Sequence, residues 1–182
     1  MARQNTQLES AGAEFLVLGN LLVEGIPAFK SYTNMKGYDL IAVNPELNLS
    51  VRIQVKSRWR TKAEGFIIKN FECDFVVVAL LNRGSKGGKS EAHSPEYFIF
   101  PVHVAEALPR TEGWGKVSFS KFPDLHSYRN RWDLIRQALK TSVDGEESRA
   151  GVDCFVAGHG TLLISTSGLG LVIPDGSRND VP

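Results

Sequence analysis

A chain of 182 residues is long enough for one well-packed domain with an appendage, since single domains usually span about 100–200 residues. Its 42% hydrophobic and 23% charged content is ordinary for a globular protein, and no apolar run approaches the roughly 20 residues of a membrane helix, which excludes an α-helical span. The net charge of +1 excludes no partner, because binding to nucleic acid depends on how charge is distributed rather than on its sum. Residues 1–7 lack the apolar stretch of a secretory signal, and the two cysteines, Cys73 and Cys154, suggest no disulfide framework, so a reducing cytoplasm is the expected setting.

In chain order, Thr6-Gln7-Leu8-Glu9 reads as a capping box. Leu8, Ala11, Phe15, Leu18 and Leu22 then follow at helical spacing until Gly25 and Pro27, which predicts a first helix. Glu14 lies about 80° from the centre of that apolar stripe, at its border, where an acid can reach over a neighbouring sheet. Three β-type runs follow, near Ala28–Ser31, Tyr38–Val43 and Leu49–Lys56. The turn formers of Asn44-Pro45-Glu46-Leu47-Asn48 join the last two as an antiparallel hairpin. Within the third run Val51, Ile53 and Val55 alternate with Arg52, Gln54 and Lys56, so the apolar set enters a core while Gln54 and Lys56 point together to the other face. The hairpin brings Asp39 beside them.

Residues 57–74 carry no strong helix pattern, and Gly65-Phe66-Ile67-Ile68 reads equally as a short strand, so an irregular crossover is expected there. Phe75 to Leu81 is an apolar run without alternation, which implies a central parallel strand buried on both faces with helices covering both sides. Tyr97-Phe98-Ile99-Phe100 predicts another strand, Val102–Leu108 a short helix, and Tyr128–Lys140 a terminal helix in which Trp132 sits at core spacing with Ile135 and Leu139. From Ser142 the composition shifts to Gly, Ser and Asp. Residues 1–141 are thus read as one α/β domain with a mixed sheet flanked by helices, and 142–182 as a tail, disordered or a small hairpin.

Asp39, a spacer, then Gln54-Val55-Lys56, with Glu14 on a preceding helix, resembles the catalytic signature of the PD-(D/E)XK nuclease superfamily. It is most similar to the branch of group I intron-associated homing endonucleases and Holliday-junction-resolvase-like proteins, in which Gln replaces the second acid. The resemblance covers roughly the first hundred residues, on the usual single-domain scale. It departs from the family name at Tyr38, in the place of Pro, and at Gln54, in the place of the second acid, which removes one negative charge from the site.

The resemblance implies a restriction-endonuclease-like core and a metal-dependent endonuclease that hydrolyses DNA phosphodiester bonds. It also implies Mg²⁺ or Mn²⁺ as cofactor, held by Asp39, the Gln54 amide oxygen and the Val55 backbone carbonyl, with Glu14 acting through a water. Lys56 would serve as a point charge against the developing negative charge. The basic residues Arg52, Arg58, Arg60 and Lys62, interrupted by Trp59, begin at the motif, and Arg83, Lys86 and Lys89 decorate a later glycine-rich loop; both groups fit a nucleic-acid backbone, DNA rather than RNA. A one-site domain that cuts a duplex commonly does so as a symmetric homodimer.

Two other functions compete. A nucleic-acid-binding module that kept the fold without cleavage is consistent with Gln54. An NTP-binding protein would use Gly84 to Ser90, but that run is one residue short of a P-loop and leads to Pro95 and a strand rather than opening a helix. His93, His103, His126 and His159 lack ligand spacing, which argues against zinc.

Overall fold

A computed structural model describes residues 6–31, 37–85 and 90–140. The predicted tail at 142–182 and the basic residues Lys86 and Lys89 lie outside the described residues. Helix α1 (Thr6–Val23) leads into strands β1 (Ala28–Lys30), β2 (Leu40–Asn44) and β3 (Leu49–Arg58). Then come β4 (Gly65–Ile67), β5 (Phe75–Leu80), β6 (Glu96–Pro101), the short helix α2 (Val102–Glu106), β7 (Lys116–Ser118) and helix α3 (Trp132–Ala138). Five strands form one mixed sheet in the order β1-β2-β3-β5-β6, in which only β3 and β5 run parallel. The expected α/β architecture is present. No helix among the described residues is long and apolar enough to cross a membrane.

The centre of the sheet follows from residue type. All six residues of β5, Phe-Val-Val-Val-Ala-Leu, are buried, as a strand covered on both faces requires. On one face Val51, Ile53, Val55, Val77 and Ala79 pack under α1 and α3, where Trp132 stacks obliquely on Tyr97 at 5.6 Å between ring centroids. The other face is covered differently from the helices expected there. Beside α2, the two-stranded sheet of β4 and β7 and an aromatic group of Phe66, Phe98, Phe100, Phe119, Phe122 and Tyr128 seal it. The crossover 59–74 thus contains a strand and no helix. Gly65 is required there, because a Cβ would run into the Val117 carbonyl of the paired strand.

Helix α1 forms where expected but turns a different side inward. Ala13, Val17 and Leu21 are fully buried, whereas Leu8, Phe15 and Leu22 of the predicted stripe are 71%, 54% and 53% exposed. The chain carries two apolar stripes on this helix, and the one with smaller side chains lies against Ala28, Ala42 and Val55. Glu14 falls about 60° from the centre of the buried stripe, so it remains a border residue for a different reason. Glu9, instead of serving only the helix terminus, accepts a 3.1 Å hydrogen bond from Ser57 Oγ on β3.

The last helix also begins later than predicted. Residues Leu125–Tyr128 form a 3₁₀ turn. Arg129 bridges Phe98, and Asn130, at φ +52°, donates its N–H to the Tyr97 carbonyl at 2.9 Å. Binding the edge of β6 keeps these residues out of the helix.

Gly37, which precedes the candidate site, has φ +104°, and a Cβ on it would lie 2.6 Å from Glu72 Cβ and 2.9 Å from the Glu72 carbonyl oxygen. Glycine is thus what lets the crossover approach the start of β2. Gly37→Ala is expected to destabilise the fold by about 2–4 kcal/mol through backbone strain and overpacking, measured by urea unfolding.

Candidate active site

Asp39 sits one residue before β2, yet its backbone is already in the ladder. Its N–H donates to the Ile53 carbonyl at 2.9 Å, and its carbonyl accepts from the Ser31 N–H at 2.9 Å. The side chain replaces the next rung: Oδ2 accepts the Val55 N–H at 2.7 Å. The Val55 carbonyl belongs to the same β3 residue whose N–H binds the Asp39 carboxylate.

Gln54 and Lys56 project from β3 away from α1, as the alternation predicts. Gln54 is a buried amide at 9% exposure. In the orientation that pairs donors with acceptors, its nitrogen donates to the Asn70 carbonyl at 3.0 Å and its oxygen accepts from Lys56 Nζ at 3.1 Å. Asn70 belongs to the crossover, where its own Oδ1 accepts the Glu72 N–H at 2.7 Å and fixes the turn. The structure therefore brings Asp39, Gln54, Val55 and Lys56 together at the end of the β2–β3 ladder.

Glu14, on α1, acts on Asp39 and Lys56 through its charge, and its direct partner is Lys30 on β1, with Oε2 2.7 Å from Nζ and the two side chains only 18% and 15% exposed. Lys30 Nζ also lies over the Phe15 ring, 4.6 Å from its centroid. Sequence analysis missed Lys30. The signal was present, since Lys30 shares the period-two face of Ala28 on a strand that pairs with β2 next to Asp39. It also missed Asn70, which acts through a backbone carbonyl that no side chain announces, and the buried Cys73, whose thiol burial pushes up to about 11 against the lowering effect of the Gln54 N–H.

The electrostatics are those of groups held where water is scarce. Burial raises Asp39 above the ordinary 3.8, and the nearby charge of Glu14 raises it further, against the lowering effects of the Val55 N–H, Lys56 and Lys30. Burial lowers Lys56 from its ordinary value, partly offset by Asp39 and Glu14. Among the described residues no group of three or more His, Cys, Asp or Glu side chains is gathered. The oxygens present are Asp39, the Gln54 amide, the Val55 carbonyl and Glu14. All are hard donors and few are charged, a set that fits Mg²⁺ or Mn²⁺ retaining several waters better than a thiophilic metal. The Gln54 oxygen has two lone pairs and can serve both Lys56 and a cation.

The basic residues divide into two places. Beyond the end of β3, the Arg83 N–H donates to the Trp59 carbonyl at 2.8 Å and the Thr61 N–H to the Gly84 carbonyl at 3.0 Å. Buried Thr61 then joins Gly84 and Glu91 through its hydroxyl. This stitching places Arg58, Trp59, Arg60, Lys62 and Arg83 at one end of the sheet, past Lys56, with Trp59 42% exposed. Arg52 is elsewhere, clamped to Asp74 by contacts of 2.9 and 3.2 Å. After residue 90 the chain enters β6 and no helix starts, so the described part of the glycine-rich loop lacks the helix terminus a P-loop needs.

Gln54→Leu is expected to destabilise the protein by about 1–3 kcal/mol in urea unfolding, because it leaves the Asn70 carbonyl and the Lys56 ammonium without their buried partner.

No protein-family model matches the chain, and no curated protein matches it. Among solved structures it is similar to a bacterial homing endonuclease, I-Ssp6803I, at 21% sequence identity, over 74% of this chain and 94% of that chain, with a TM-score of 0.49.

Proposed function

We propose that this chain is a metal-dependent endonuclease of the PD-(D/E)XK type, acting on DNA. The observation that carries the reading is the joint placement of Asp39, Gln54 and Lys56 on paired strands, with the carboxylate raised and the amine lowered by shared burial. Perturbation of two opposite charges in one place, one raised and one lowered, is a property expected of reacting groups. Asp39, Gln54 and the Val55 carbonyl would hold a divalent cation, and Glu14 would orient a water beside it. Such a cation, when bound, polarises a phosphoryl oxygen and lowers the pKa of an attacking water.

The chain's own residues do the rest. Lys56 is held in place by the Gln54 oxygen and presents a fixed ammonium to the negative charge that develops on phosphorus-bound oxygen; a pre-set donor needs no reorganisation when charge appears. Burial lowers its pKa from the ordinary value, and the charges of Asp39 and Glu14 partly offset this. The cluster Arg58, Trp59, Arg60, Lys62 and Arg83 would track the sugar-phosphate backbone, with Trp59 offering a face for stacking.

Supercoiled, branched and single-stranded DNA, incubated with Mg²⁺ or Mn²⁺ at low salt, tests the reading. Wild type is expected to cut, and Asp39→Asn and Lys56→Met to lose about 10²–10³-fold in rate. Undiminished cleavage by both variants, or salt-dependent binding by all three proteins without cleavage, overturns the enzyme.

The same Asp39→Asn protein carries a second signature. A carboxyl whose folded pKa is raised contributes stability below its unfolded value and loses it as pH rises through the folded one. The variant should therefore melt with wild type below pH 3.8 and above wild type at neutral pH.

In DNA titrations across salt, Arg60→Ala and Lys62→Ala are each expected to reduce the slope of log K against log salt by about 0.7–0.9, whereas Arg52→Ala leaves the slope unchanged, because Arg52 is committed to Asp74.

A further inference from the structure

The Glu14–Lys30 pair lies half-buried beside the candidate site, where Glu14 has been given a part and Lys30 has none. Four charged groups meet here, Glu14 and Asp39 against Lys30 and Lys56, so the site is balanced by its own side chains. Two features make Lys30 more than a surface partner. Its side chain is 15% exposed, and its ammonium is fixed from two directions, by Glu14 Oε2 at 2.7 Å and by the Phe15 ring at 4.6 Å. A carboxylate buried next to a second carboxylate needs a cation, and Lys30 supplies one from within the chain.

We propose that Lys30 is a positioning residue that competes with the divalent cation for the carboxylate of Glu14. Resting on the nuclease reading, this makes Lys30 the group that sets metal affinity. With the site empty of cation, Lys30 holds Glu14 and prevents two unbalanced acids from facing each other. When a cation engages Asp39, the added positive charge weakens the hold of Lys30 on Glu14, which turns to the cation or its water. The released ammonium remains beside the site, where a phosphate is its natural partner.

Isothermal titration with Mn²⁺ alone tests this without reference to activity. Lys30→Met removes the charge and keeps an apolar stem over Phe15; it is expected to bind Mn²⁺ about tenfold more tightly than wild type, and to gain more in melting temperature on saturation. Lys30→Arg keeps the charge and should bind within about twofold of wild type. In a Glu14→Gln background, Lys30→Met should leave affinity unchanged, because the carboxylate in dispute is gone. Equal or weaker Mn²⁺ binding by Lys30→Met overturns the proposal while leaving the nuclease reading intact. So does equal tightening in the Glu14→Gln background, which would show Lys30 acting on Asp39 instead. Wild type that binds no Mn²⁺ overturns both.

Discussion

The hydrogen bond from the Val55 N–H to Asp39 Oδ2, 2.7 Å long, is the constraint on which the site depends. It substitutes a side-chain carboxylate for a backbone carbonyl at the point where β2 begins, so one residue both closes the ladder and carries charge. Satisfying a buried N–H on the central hairpin fixes the carboxylate in the plane of the sheet, next to the Gln54 and Lys56 side chains on β3. The same burial disfavours the charge, and the pKa of Asp39 rises despite a backbone donor that pulls it down. The position of the carboxylate and its protonation equilibrium thus both depend on one contact.

What keeps that contact in register is the β3–β5 pair. Gln54 lies opposite Val76 and Lys56 opposite Val78, on a strand with no exposed residue. A one-residue slip would bring Lys56 under α1 and turn Val55 away from it, so the apolar packing under α1 that stabilises the sheet also holds the amine in place. Lys56 is thereby held in a half-buried position, where desolvation lowers its pKa. The site stores unfavourable charge that the surrounding core is stable enough to hold, which is why neutralising Asp39 is expected to raise stability.

Strong alternation was what made this part of the molecule legible. Val51, Ile53 and Val55 against Gln54 and Lys56 fixed the faces of β3, the unbroken run of β5 marked the centre, and turn formers at 44–48 gave the hairpin that delivers Asp39. Helix α1 was legible as a helix and ambiguous as to face, because it bears two apolar stripes and only packing against small residues on β1 and β2 selects Ala13, Val17 and Leu21. The start of α3 depended on Asn130 bonding to Tyr97, a long-range contact with no local pattern. Lys30 had a local signal, the face it shares with Ala28, but its role exists only once β1 lies beside β2 and α1 crosses above it.

The amide at Gln54 has a physical explanation that does not require a weakened acid. Its two ends meet opposite demands: the Asn70 carbonyl needs a donor, and the Lys56 ammonium needs an acceptor. An ionised glutamate could meet only the second and would set a carboxylate oxygen against the carbonyl of the crossover. With Asn70 held in its turn by the Glu72 N–H, that carbonyl has little freedom to move away. The crossover geometry, built on Gly37 and the strand at β4, thus favours an amide at this position. A site with one fewer negative charge would hold a cation less tightly, and a lysine that competes for Glu14 would loosen it further. Both features act in the same direction, toward weak binding of the proposed cation.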